Sequence, residues 1–172
     1  MRDTEKDILE LLYSRYYDEA LLYCLTLCGS RETAEDLVEE AFIKAYLSLP
    51  GEVPSFRYWL FRVCKNLWID QLRKQKWAAD SDVAVWLAAA WAAEQNTPEA
   101  EFLKSEGYRC LWDAIGTLPQ ADREIVMLHY FFDMPLHEIA RLQDKSYPAV
   151  RQRLVRLRQT LKKRLEEQGD EI

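Results

Sequence analysis

Between Ser30 and Pro50, apolar side chains recur at Ala34, Leu37, Val38, Ala41, Phe42, Ala45 and Leu49. This is the rhythm of a helix with one buried face. Glu35, Asp36, Glu39 and Glu40 lie on its other side. Ser30 is placed to cap the first turn, and Pro50-Gly51 ends the run. A helix of similar kind precedes it, from about Asp3 to Cys28. Ile8, Leu11, Leu12 and Tyr16 form its apolar stripe, continued by Leu22 and Leu25, and Gly29 suits a left-handed C-cap. Ser55 caps a third helix, roughly Phe56 to Trp77, with Trp59, Leu60, Val63 and Leu67 expected on its inner side. Three such helices with short connections can close a bundle around one core.

Residues 78–97, AADSDVAVWLAAAWAAEQNT, break this rhythm and read as an interdomain linker, with room for a short Ala-rich helix from Asp82 to Glu94. Two tryptophans in such a stretch, Trp86 and Trp91, argue that it docks on something and is not a bare tether. Thr97-Pro98-Glu99 restarts a helix that runs to about Thr117 and breaks at Leu118-Pro119. A helix over Gln120 to Phe132 follows, then a turn at Asp133-Met134-Pro135 and a short helix from Leu136 to Leu142. After Gln143-Asp144-Lys145, Ser146 caps a long final helix with Pro148 in its first turn and Leu154, Leu157, Leu161 and Leu165 on its buried side. The expected architecture is all-α. It comprises an N-terminal helical bundle over 1–77, the linker over 78–97, and a four-helix domain with a helix-turn-helix over 98–172.

Composition narrows the choice of function. Apolar residues make up 49% of the 172, enough for a packed core. No run of about 18 uncharged apolar residues occurs, so no membrane-spanning helix is expected, and the charged N-terminus lacks the apolar stretch of a signal peptide. Four scattered cysteines (Cys24, Cys28, Cys64 and Cys110) do not form a secreted disulfide framework, so a cytoplasmic protein with reduced thiols is expected.

A net charge of −6 argues against a nucleic-acid binder until its distribution is examined. Residues 1–54 carry five basic and twelve acidic side chains, whereas residues 55–77 carry six and one, and residues 141–172 carry nine and five. Phosphate contact is local, so two basic blocks suffice to touch DNA. The acidic remainder keeps nonspecific affinity low. This pattern suits a DNA binder that relies on a partner for affinity.

Three stretches carry candidate chemistry. Residues 136–142 and 147–165 form a short helix, a tight turn and a basic helix, the pattern that places Arg and Gln against base edges in the major groove. Alone, the last helix reads equally well as a solvated basic face. RYWLFRVCKNLWIDQLRKQ, residues 57–75, mixes aromatics, basic side chains and an asparagine as single-strand binders do, although Trp59, Phe61 and Trp68 also suit a core. AEDLVEEAFIKAY, residues 34–46, sets a carboxylate face beside an apolar one, which fits either a basic partner or an ordinary amphipathic helix.

In this order and spacing, the three stretches resemble the extracytoplasmic-function (ECF) sigma factors of the sigma-70 family. Residues 34–46 look like that family's polymerase-binding helix. Residues 56–75 are similar to the helix that melts and reads the minus-ten element, and residues 118–165 resemble the domain that binds the minus-thirty-five element. The resemblance implies polymerase contacts at Asp36, Leu37, Glu40 and Phe42, with Leu37 and Phe42 equally suited to internal packing. It implies DNA contacts at Arg62, Lys65, Asn66, Arg73 and Lys74, the flipped promoter base falling near Lys65 and Asn66. On the final helix it implies DNA contacts at Ser146, Tyr147, Arg151, Gln152, Arg153 and Arg156. The implied partners are core RNA polymerase, promoter DNA and an anti-sigma protein. Such an inhibitor could hold the chain at the membrane without inserting it. No cofactor and no catalytic residue are implied. One departure stands out: where the family's turn reads roughly Leu-Gly-Ile-Ser, this chain has Gln143-Asp144-Lys145-Ser146.

Weaker signals have plain readings. Cys24 and Cys28, one turn apart, suit buried free thiols better than a metal or redox pair, and no metal site is assigned. His129 and His137 read as one packed and one surface histidine. No nucleophilic triad, phosphate loop or paired-carboxylate motif appears, so an enzyme has little support. The rival readings are a stand-alone helix-turn-helix regulator, which leaves residues 34–46 without a role, and a helical adaptor that binds protein only.

Overall fold

The computed structural model describes residues 2–48, 55–74 and 106–169, and every element within them is helical or a turn. The chain divides into two units, Met1–Asp80 and Ser81–Ile172. Leu49, Pro50-Gly51, the linker over 78–97 with its Asp82–Glu94 helix, and the helix start at Thr97-Pro98 lie outside the described residues.

The first unit contains α1 (Arg2–Cys28), α2 (Arg31–Ser48) and α3 (Phe56–Lys74), each packed on the other two. Gly29 closes α1 at φ 69°, its N–H donating to the Leu25 carbonyl at 2.9 Å, the left-handed cap that glycine adopts without a Cβ penalty. Ser30 Oγ accepts the Thr33 N–H at 3.4 Å, and Ser55 Oγ accepts the Tyr58 N–H at 3.3 Å. Both serines therefore cap where expected. Ala34, Leu37, Val38, Ala41, Phe42 and Ala45 are all buried.

Two expectations need correction. Ile8 and Leu11 are 49% and 71% exposed, and the continuously buried part of α1 begins only near Ala20 and Leu22. Helical phase explains this: Leu9, Leu12 and Tyr16, at three- and four-residue steps, are the half-buried side chains here, and Tyr16 meets Phe56 of α3. On α3, the core face consists of Leu60, Phe61, Cys64, Leu67 and Trp68, while Trp59 and Val63 are only half-buried. Phe61 turns inward to stack on Tyr23, and Trp59 stacks on Phe56 near the start of the helix.

The second unit contains α4 (Glu106–Gly116), α5 (Gln120–Val126), α6 (Leu136–Leu142) and α7 (Tyr147–Gly169). The α5 helix runs on through a π turn, Met127–Phe131, closed by the Phe132 N–H donating to the Met127 carbonyl at 3.1 Å. A 3.6-residue pattern does not reveal such a turn. Ile115, Ile125, Met127, Leu128, Met134, Ile139 and Val150 build the core, joined along α7 by Leu154, Leu157 and Leu161, while Leu165 is half-buried. Asp133 and Asp144 take left-handed backbone angles, φ 49° and 51°, each in a turn. Aspartate is among the non-glycine residues that tolerate this.

Candidate nucleic-acid and polymerase interfaces

The α7 helix begins under a side-chain cap. Ser146 Oγ accepts the Ala149 N–H at 3.3 Å, and the Val150 N–H bonds to the Ser146 carbonyl at 3.2 Å. Val150, Leu154, Leu157 and Leu161 then commit one side of the helix to the core. Helical spacing sends Pro148, Arg151, Gln152, Val155 and Arg156 to the opposite side, where with Tyr147 they line a shallow open groove. All six are exposed. The result is a face with two guanidinium groups, an amide and apolar surface, the chemistry that reads base edges and thymine methyl groups. Ser146 is exposed too, with its oxygen engaged in the cap. Sequence reasoning missed Val155 and Pro148. The three- and four-residue steps through Arg151, Gln152 and Arg156 would have found them.

Arg153, expected on this face, is held by an ion pair. Its Nε and NH2 donate to the two Asp122 carboxylate oxygens at 2.7 and 2.5 Å, and the Asp122 side chain is 8% exposed. The carboxylate hydrogen bond, with its charge, raises the guanidinium pKa further above its ordinary range. The pair ties α7 to α5 while leaving the Arg153 side chain 45% exposed. Two more basic side chains of α7 turn to the protein. Arg158 donates to the Tyr130 hydroxyl and lies 5.6 Å over its ring. Arg164 donates to Thr117 Oγ1 at 2.6 Å beside the end of α4. The unusual turn has its own anchor: Gln143 Nε2 donates to the Ala121 carbonyl at 2.9 Å and to Glu124 Oε2 at 3.4 Å.

In the first unit, Arg62, Asn66, Arg73 and Lys74 are exposed along α3 and Lys65 is half-buried. Arg62 donates to the Tyr58 hydroxyl at 3.2 Å, and Arg73 lies 4.0 Å from Asp70 in an exposed pair. A pair of this kind holds little energy and leaves the guanidinium available to phosphate. On α2, Asp36 and Glu40 are exposed, whereas Leu37 and Phe42 are 3% and 8% exposed. These two apolar side chains pack inside the bundle, which decides between the two readings the sequence left open. Three apolar side chains do face outward on α2: Ile43, Tyr46 and Leu47. With Asp36 and Glu40 they make a stripe of carboxylates and apolar groups. Their positions out of phase with the Ala34-to-Ala45 core face were the available signal.

The thiols of Cys24, Cys28 and Cys64 are buried. Burial, then a hydrogen bond with Cys64, pushes the Cys24 pKa well up, so it stays an unreactive thiol. His137 is exposed and His129 half-buried, in edge contact with Tyr130.

The fold and these faces define a helix-turn-helix protein that carries a second helical unit with one basic helix, α3. Comparison with known proteins names the family. Residues 12–78 match the family model of sigma-70 region 2, and residues 108–161 match that of sigma-70 region 4. The chain is similar to the ECF sigma-E factor of Haemophilus influenzae, 30% identical, with 94% of this chain and 89% of that protein covered. It is also similar to the ECF sigma factor SigW of Bacillus subtilis, 29% identical over 95% of this chain and 90% of that protein. In fold it matches the sigma factor RpoE of Bartonella quintana, solved with the anti-sigma factor NepR. That match has a TM-score of 0.61 at 17% identity and covers 96% of this chain and 98% of that one. The chain belongs to the sigma-70 family, among its extracytoplasmic-function sigma factors, and directs transcription initiation. A stand-alone regulator is not favoured, because the region 2 match accounts for the N-terminal unit that such a reading leaves idle.

Proposed function

We propose a division of labour among the residues described above. The stripe of Asp36, Glu40, Ile43, Tyr46 and Leu47 on α2 docks on core RNA polymerase. Arg62, Lys65, Asn66, Arg73 and Lys74 on α3 engage the minus-ten element, with Asn66 holding an unpaired base beside Lys65. Unstacking a base costs about a few kcal/mol, which binding to the polymerase and to backbone phosphate offsets. Tyr147, Arg151, Gln152, Val155 and Arg156 read the minus-thirty-five element, with Ser146 fixing the start of their helix. The functional boundaries are 1–77 and 98–172, with residues 78–97 as the tether between the two DNA-reading units. The chain itself carries no catalysis; bond formation belongs to the polymerase.

An anti-sigma protein is the proposed negative regulator, by analogy with the NepR complex of the Bartonella protein. Among the described residues no helix is long and apolar enough to cross a membrane. The proposed location is the cytoplasm, where polymerase and promoter DNA are met, with any membrane attachment made through the inhibitor.

The observation that carries this reading is the separation of two exposed basic faces onto two units, each with its own core. Capture of core polymerase by the purified chain, followed by transcription from candidate promoters, tests it. Association at micromolar concentration and promoter-dependent transcripts are expected. Duplex DNA binding that is equally tight without polymerase, or no polymerase capture at all, overturns it.

A further inference from the structure

Three residues near the start of α5 hold both sides of the helix-turn-helix. The Ala121 carbonyl and Glu124 carboxylate accept from Gln143, at the end of α6. The Asp122 carboxylate accepts two hydrogen bonds from Arg153, thirty-one residues away on α7. None of these α5 groups lies on the groove formed by Tyr147, Pro148, Arg151, Gln152, Val155 and Arg156. A bidentate arginine–carboxylate pair fixes orientation as well as distance, which a lysine cannot do. Arg153 lies between Gln152 and Arg156 in the chain, so holding its guanidinium adds to the buried leucines a further constraint on the rotation of α7 about its own axis. Side-chain tips lie about 5–6 Å from a helix axis, so a rotation of about 20° carries one through roughly 2 Å. That displacement is enough to break a hydrogen bond to a base.

We propose that Asp122 and Gln143 are positioning residues for promoter discrimination: the start of α5 sets the angle at which Arg151, Gln152 and Arg156 meet the upstream element. The proposal rests on the reading of α7 as the upstream-element helix. It also accounts for the unusual turn. Asp144 holds the left-handed position, and Gln143 supplies a side-chain tether to α5 beside it.

The test uses the full chain bound to core polymerase and measures affinity for a cognate and a scrambled upstream duplex across salt concentrations. Asp122→Asn is expected to lower the cognate-to-scrambled ratio about tenfold, the scale of one misplaced base contact, with scrambled-duplex binding and the salt slope unchanged. Arg153→Lys, which keeps the charge but not the fork, should reproduce that loss. The double variant should lose little more than either single one, because both break the same pair. Asp122→Glu should recover part of the ratio, and Gln143→Leu should lower it.

A ratio unchanged in Asp122→Asn overturns the proposal. So does a parallel fall on both duplexes, which marks simple destabilisation. So does tighter binding to both with a salt slope larger by about one, which marks Arg153 as a phosphate contact held back by Asp122. A wild-type chain with no preference between the duplexes overturns the upstream-element reading itself, and this proposal with it.

Discussion

The rings of Tyr23 and Phe61 stack at 4.4 Å between centroids and 11° between planes, joining α1 to α3 in the middle of the first unit. Both residues are fully buried. Phe61→Ala should therefore lower the stability of this unit by about 3–5 kcal/mol, the lost transfer energy plus a cavity that close packing cannot refill. Urea unfolding followed by circular dichroism measures the change. A loss below about 1 kcal/mol would place Phe61 outside the core and return it to the surface reading that its aromatic-basic stretch also allowed.

The Cys24 thiol is held protonated by burial and by its hydrogen bond with Cys64. Its folded pKa lies above the ordinary thiol value of 9.0, so the folded state keeps a proton that the unfolded state gives up. The sign follows. The contribution is fully present below pH 9.0 and is lost as the pH rises through the thiol's folded value. Unfolding free energy measured between pH 8 and pH 11 should fall over the upper part of that range, and less in Cys24→Ala. Alkylation of Cys24 in the native protein should be slow, accelerating on unfolding.

Asn66 is exposed on α3, next to half-buried Lys65. Replacement by alanine should leave polymerase capture intact and slow open-complex formation, because the amide's hydrogen bonds are needed only once a base is unpaired. Permanganate footprinting of the melted strand, alongside a polymerase pull-down, separates the two steps. Equal loss of both would show that Asn66 supports the fold or the polymerase contact.

Arg151 and Val155 share the open face of α7 and make different contacts there. Arg151→Ala should cost about 1–3 kcal/mol at the upstream element if its guanidinium grips a guanine. Val155→Ala should cost less, and only at a position where thymine offers a methyl group. A panel of duplexes with single-base changes reads both effects. A uniform loss across the panel for Arg151→Ala would assign it to phosphate.

Much of this molecule was legible from one-dimensional pattern because its causes are local. Ser30, Ser55 and Ser146 announce helix starts through their own backbone neighbours, Gly29 announces an end, and the apolar rhythm of α2 names its buried face residue by residue. The resemblance to the sigma family was equally local, carried by three stretches in order. Interactions between distant segments were not legible in this way. That Leu37 and Phe42 point inward while Ile43, Tyr46 and Leu47 face out depends on where α1 and α3 lie against α2. That Ile8 and Leu11 are exposed while Leu9 and Leu12 are half-buried depends on which side of α1 the other two helices occupy. That Arg153 is ion-paired depends on an aspartate thirty-one residues earlier that only the folded chain brings within hydrogen-bond reach. Sequence by itself determined the helices, their caps and the family, since those follow from spacings within a few turns. Tertiary structure alone decided which of the basic, acidic and apolar groups remain available to a partner, because availability is what is left after each side chain has met its neighbours across the core.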